Sequence, residues 1–99
     1  MSDPTKNRAR LRDIIVGKSF GQGAEITLAS GKKSNFYFNM KPTMLDPEGA
    51  ALIAGLILDQ VAGQKPDLVG GLELGAIPIA CAVSMASFGR QMPIPAFIV

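Results

Sequence analysis

The feature that most constrains this chain is the order of apolar runs in its last third. Leu68 and Val69 form a short run that ends in Gly70 and Gly71. Residues 76–88 then carry a helical pattern, and Ala96, Phe97, Ile98 and Val99 form a second strand-like run. Pro78 fits the first turn of that helix, Gly89 ends it, and Pro93 and Pro95 precede the second strand. Strand, helix, strand in this order implies two parallel strands joined by a right-handed crossover. A parallel strand is normally covered on both faces and flanked by neighbours. Two strands and one crossover helix cannot do that for themselves, so a partner or further sequence is expected to complete the sheet.

Upstream, residues 4–16 read as a helix capped by Asp3, with Pro4 at its first position and Leu11, Ile14 and Ile15 as a narrow apolar stripe. Gly17, Gly21 and Gly23 mark its end and a turn region. Ile26 and Leu28 alternate with Glu25, Thr27 and Ala29 as a half-buried strand, and residues 36–40 are a second, aromatic strand. The two would pair as a hairpin through a loop of about four or five residues. Asp46, Pro47 and Glu48 start a further helix, continued over residues 50–62 with Ile53, Leu56, Ile57 and Val61 on one side; Gly63 is placed as its left-handed cap. The chain therefore divides into residues 1–45, a helix and hairpin, and residues 46–99, the first part of an α/β core.

Composition removes several classes of chemistry. The chain has no histidine, which rules out a Ser-His-Asp or Cys-His triad and any His-ligated metal within it. Cys81 is the single cysteine, so no internal disulfide forms, in keeping with a reducing cytoplasm. A net charge of +2 gives no electrostatic case for nucleic acid. Lys6, Arg8, Arg10 and Arg12 are diluted by Asp3 and Asp13 and read as a solvated helix face. No signal-peptide pattern is seen, and the apolar stretches are interrupted well short of a membrane span.

Two segments could carry chemistry. Ligands of open α/β sheets bind at the carboxyl ends of the parallel strands. Residues 70–76 lie at such an end, where Gly70, Gly71 and Gly75 permit close backbone approach and the next helix offers its amino end to an anion such as pyrophosphate. The same glycines equally permit a tight turn and nothing more, and the segment matches neither a G-x-G-x-x-G fingerprint nor a Walker loop. Glu73 could act through magnesium or water, orient the loop, or be a solvated carboxylate. The second segment, residues 32–41, interleaves Lys32, Lys33 and Lys41 with Phe36, Tyr37 and Phe38. Rings can stack on a planar base and lysines can neutralise an anion. The plainer reading is an amphipathic edge strand with its aromatics in a core.

Taken together, residues 26–47 and 70–80 resemble orotate phosphoribosyltransferase. The first stretch looks like the family's hood motif T-L-x-S-G-x-x-S-x-x-Y-F, and the second like its pyrophosphate-facing βα loop; order and spacing match from about Leu11 to Val99. The resemblance implies an α/β type I phosphoribosyltransferase fold, with a small hood over a Rossmann-like core. It also implies a magnesium-dependent homodimer that makes orotidine 5′-monophosphate from orotate and phosphoribosyl pyrophosphate in pyrimidine synthesis. It places orotate at Tyr37 and Phe38, and pyrophosphate at Glu73, Leu74 and Gly75, where a non-proline cis peptide is expected; Lys41 could reach an anionic group. No catalytic residue is assigned within the chain. Ala29 stands where many members carry Lys, and Leu74 and Gly75 where some carry Tyr-Lys, so two donor-binding cations are either missing or replaced by Lys32, Lys33 or Lys41. The family's mobile Arg/Lys/His loop would begin just after Val99, with the ribose-phosphate loop further on. The chain by itself is thus expected to be an inactive fragment, or one half completed by another chain. A non-catalytic nucleotide- or phosphate-binding or interaction module is the alternative.

Overall fold

A computed structural model describes residues 3–99, and the backbone alone for residues 23–26. Helix α1 (Pro4–Lys18) starts where Asp3 accepts a hydrogen bond from the Thr5 amide at 2.9 Å, and it buries Ile14 with Leu11 and Ile15 half-buried beside it. It runs through Gly17 to Lys18, beyond the expected end.

The hairpin forms, but its first strand begins earlier than the glycines suggest. Strand β1 (Phe20–Thr27) pairs antiparallel with β2 (Lys33–Phe38), with Phe20 opposite Phe38, Gly21 opposite Tyr37 and Thr27 opposite Lys33. The register shifts between Gln22 and Ile26. Gly21 is strand, not turn, because the Tyr37 ring lies over it and leaves no room for a Cβ. The inward face expected for Ile26 lies outside the described side chains. Gly31, with φ of 85°, supplies the left-handed residue of the loop between the strands.

After the hairpin a one-turn helix, α2 (Lys41–Met44), leads into α3 (Pro47–Val61). Asp46 caps α3 as expected, accepting from the Gly49 amide at 2.8 Å. Helix α3 is turned slightly from the side expected. Ala54 and Leu58 are its buried apolar residues, Ile57 of the expected stripe packs against them, and Ile53, Leu56 and Val61 are half-buried. Small Ala54 lets the facing helix approach closely, and Leu58 then fills the seam. The left-handed reversal falls on Lys65 (φ 49°), not on Gly63: the helix tightens through a 3₁₀ turn at Ala62–Gln64 and stops before Pro66, which has no N–H to extend it.

Strand β3 (Val69–Gly71), helix α4 (Ala76–Gly89) and strand β4 (Ala96–Ile98) make the expected unit, with β3 and β4 parallel. Gly89 closes α4 as its last residue, and the reversal comes at Gln91 (φ 58°). Ala54 and Leu58 of α3, Val83 of α4 and Ile94 form the core, with Ile57, Val69, Ile79 and Met92 packed around it. Ser87 Oγ donates to Ser84 O at 2.6 Å and accepts from Ile94 N at 2.9 Å, which fixes the return into β4. Arg90 straps the end of α4 to α3 through Asp59 (2.6 Å) and Gly55 O (3.1 Å). Phe97 and Ile98 of β4 are exposed, so the two-stranded sheet has uncovered apolar surface. No helix is long and apolar enough to cross a membrane among the described residues.

Two carboxylates tie α1 to the start of α3. Glu48 receives Arg10 Nε and Nη2, both at 2.8 Å, and Asp46 lies 3.6 Å from Lys18 Nζ. The Arg10 hydrogen bonds hold the Glu48 carboxyl below its ordinary range. The Gly49 amide, and after it Lys18, do the same for Asp46. A carboxyl depressed in the fold stabilises above its unfolded pKa, and that contribution is lost as pH falls through its folded pKa. We therefore expect the urea midpoint to drop as pH is lowered from neutrality through and below about 4. Asp46→Asn combined with Glu48→Gln should flatten that acid limb; an unchanged slope in the double variant would assign the acid sensitivity to other groups.

Candidate functional site

The candidate site is assembled from α2, which follows the hairpin, and the loop between β3 and α4. Successive residues of a strand face opposite ways, and this separates the two aromatics named from the sequence. Phe38 joins Phe20 and Phe36 in an aromatic cluster, with ring centroids 5.2 Å from Phe20 and 6.3 Å from Phe36. Tyr37 stands on the other face, over Gly21 and about half exposed. One planar ligand cannot stack on both rings from the same side.

The loop at residues 72–75 has the expected backbone. The Glu73–Leu74 peptide is cis, and Leu72, Glu73, Leu74 and Gly75 are all exposed. No side chain caps α4 at Gly75. The amino end of α4 is less open than the sequence suggests, however. The Ala76 amide is bonded to Leu72 O at 3.2 Å and the Ile77 amide to Leu74 O at 3.0 Å, while Pro78 has no N–H. An anion seated here would meet the amides of residues 73–75 and the positive end of the helix, not the first helical amides.

Lys41, Met44 and Leu45 line a cavity of about 130 Å³ together with Leu74, Gly75 and Pro78. Lys41 is thereby brought to the glycine loop. Lys32 and Lys33 flank the far end of the hairpin, where β2 begins. Ala29 is in the hairpin loop and exposed. A larger groove, about 720 Å³, lies between α1, α3 and α4 and touches none of the candidate substrate-binding residues. Among the described residues no group of three His, Cys, Asp or Glu side chains is placed to hold a metal ion.

Sequence reasoning missed α2 and the pair beneath it. Ser19 and Thr43 are buried with their hydroxyls 2.5 Å apart. Pro42, close after the second strand, was the available sign of a helical turn there. Nothing in the sequence connects Ser19 with Thr43.

A hairpin beside a parallel β-α-β unit, with a glycine loop at the first strand's carboxyl end, defines one part of an α/β ligand-binding fold. Solved structures identify it: the chain has about half of a type I phosphoribosyltransferase fold. It superposes on Mycobacterium tuberculosis orotate phosphoribosyltransferase in complex with inorganic phosphate with a TM-score of 0.80 and 34% identity, covering 95% of this chain and 54% of that one. The complex of the same enzyme with 5-phospho-α-D-ribosyl 1-diphosphate gives a TM-score of 0.73 and 32% identity, over 94% and 52% of the two chains. More particularly, the chain matches the N-terminal half of proteins named orotate phosphoribosyltransferase. It is 60% identical over 93 residues to that of Rhodopseudomonas palustris, covering 94% of this chain and 49% of the relative. The chain thus spans about half the length of the curated relatives it matches. No family model matches it.

Tyr37 is the single tyrosine in a chain without tryptophan, so intrinsic fluorescence reports this position alone. Gly21→Ala should push its ring outward, raise quenching by acrylamide and cost about 1–3 kcal/mol through overpacking. An unaltered quenching constant would mean that the ring does not rest on Gly21.

Proposed function

We propose that this chain supplies the orotate- and pyrophosphate-facing half of an orotate phosphoribosyltransferase. That enzyme joins orotate to phosphoribosyl pyrophosphate, giving orotidine 5′-monophosphate and pyrophosphate in pyrimidine synthesis. The observation that carries this reading is the shared cavity, in which Lys41, three residues past the end of the hairpin, meets Leu74 and Gly75 of the loop. Its support from relatives is the half-length match to enzymes of that name. In this reading residues 1–45 form the hood side, residues 46–99 begin the core, and the complete protein is a cytoplasmic homodimer.

The chemistry is substitution at the anomeric carbon of the ribose. Positive charge develops on the sugar and negative charge on the departing pyrophosphate, so catalysis rests on positioning and electrostatic stabilisation. Tyr37 and Phe38 are both about half exposed, so each keeps a ring surface for orotate; Phe38 also packs on Phe20 and Phe36, and the reading gives the stacking role to Tyr37. Lys41 lines the cavity with its aliphatic stem; in this reading its ammonium serves an anion at the loop, and the amides of Glu73, Leu74 and Gly75 are the donors to pyrophosphate oxygens. Magnesium bound with the donor would neutralise the leaving group. The chain offers it one loop carboxylate, Glu73, and no cluster of ligands among the described residues. This suits an ion carried mainly by substrate phosphates and water.

The 99-residue chain alone should form no orotidine monophosphate. Fused to the C-terminal half of the Rhodopseudomonas palustris relative, it should form the product from both substrates. A folded fusion that binds an unrelated nucleotide but neither substrate would favour the non-catalytic module. In the active fusion, Tyr37→Ala should raise the orotate KM roughly tenfold, in line with about 1–3 kcal/mol for a base stacked on an aromatic ring, and change the donor KM much less. Equal effects on both substrates would remove Tyr37 from the orotate subsite.

A further inference from the structure

We propose that the buried hydroxyl pair Ser19–Thr43 is a positioning element that fixes the hairpin, and with it Tyr37, relative to the cavity wall formed by α2. The proposal rests on the functional reading above and adds to it two residues that touch neither expected substrate.

Ser19 is 3% exposed and Thr43 is 0% exposed, and their Oγ and Oγ1 atoms are 2.5 Å apart. Ser19 lies between α1 and β1. Its amide donates to Ile15 O at 2.8 Å, and its carbonyl accepts from the Asn39 amide, also at 2.8 Å. Asn39 directly follows Phe38, so Ser19 holds both strands of the hairpin at their base. Thr43 belongs to the turn of helix that carries Lys41 and Met44 into the cavity with Leu74 and Gly75. Its backbone carbonyl accepts from the Asp46 amide at 3.2 Å and lies so close to Gly49 that a Cβ there would collide with it. One hydroxyl thus belongs to the hairpin and the other to the cavity wall, and the wall is seated on the start of α3.

A two-stranded hairpin is marginal by itself and takes its orientation from whatever anchors it. An apolar pair at this junction could fill the space but would not fix a direction. A hydrogen bond between buried hydroxyls does, because each oxygen left alone loses its partner without regaining water. Tyr37 is two residues from Asn39, so a small rotation at the base displaces its ring. Misplacement of a substrate-positioning group by about 1 Å can cost on the order of a hundredfold in rate.

The test uses the fusion described above. Thr43→Val keeps the shape and removes the hydroxyl, Thr43→Ser keeps the hydroxyl, and Ser19→Ala removes the other partner. Thr43→Val and Ser19→Ala should each raise the orotate KM about tenfold while the donor KM stays within about twofold, and Thr43→Ser should behave as the parent. The Asn39 amide should exchange with solvent about tenfold faster in both hydroxyl-deleting variants, with the Leu58 amide in α3 unchanged. Equal shifts in both KM values, or parental Asn39 exchange, would overturn the proposal. Should the parent fusion form no orotidine monophosphate, the functional reading fails. The exchange rates then decide the positioning claim alone: faster Asn39 exchange sustains the joint and parental exchange overturns it. If Thr43→Val does not fold, Ser19→Ala carries both measurements.

Discussion

The contact between α3 and α4 across Ala54, Leu58 and Val83 places every other element of this chain. It seats α4 on β3 and β4, and with them the loop at residues 72–75. It also fixes the start of α3, where Glu48 receives Arg10, Asp46 faces Lys18, and Gly49 lies under Thr43. The helix therefore has two roles along its length. Its middle is the core, and its amino end gathers the first helix, the hairpin and the cavity wall into one arrangement. An α3 with a larger residue at position 54 would stand further from α4 and carry that whole end outward.

How much of this was legible depends on whether a residue's local chemistry agrees with its place in the fold. Asp3 and Asp46 announce their helices because a capping carboxylate acts within a few residues. The β-α-β unit was readable because its apolar runs, glycines and prolines all agree. Gly21 was misread because its value is tertiary: it makes room for Tyr37 from the other strand. The inward side of α3 was read only in part: Ile57 does pack against the core, but the larger Ile53 and Leu56 drew the stripe away from the row containing Ala54 and Leu58, which close helix packing selects. Lys65 took the left-handed position expected at Gly63 because α3 tightens into a 3₁₀ turn that carries the chain past the glycine first.

The candidate site shows the same division. The loop at residues 72–75, with its cis bond, and the hairpin's aromatics could be named from motif resemblance. That Tyr37 and Phe38 face apart follows from strand alternation alone, once the strand is known. The meeting of Lys41 with Leu74 and Gly75 needed the fold, since α2 lies between the two motifs in space but has no motif of its own. The involvement of the first α4 amides in loop hydrogen bonds likewise had no signal in sequence. It narrows the donors open to an anion to the three residues preceding the helix.

The uncovered sheet has a consequence of a different kind. Ile98 is 66% exposed on a strand whose only described neighbour is β3. A strand with open backbone groups and apolar side chains will accept whichever extended segment reaches it first. Dilution and crowding then become structural variables. At low concentration the edge is simply wet, whereas in a concentrated solution copies compete for it, and scattering should grow with protein concentration before any loss of helix signal.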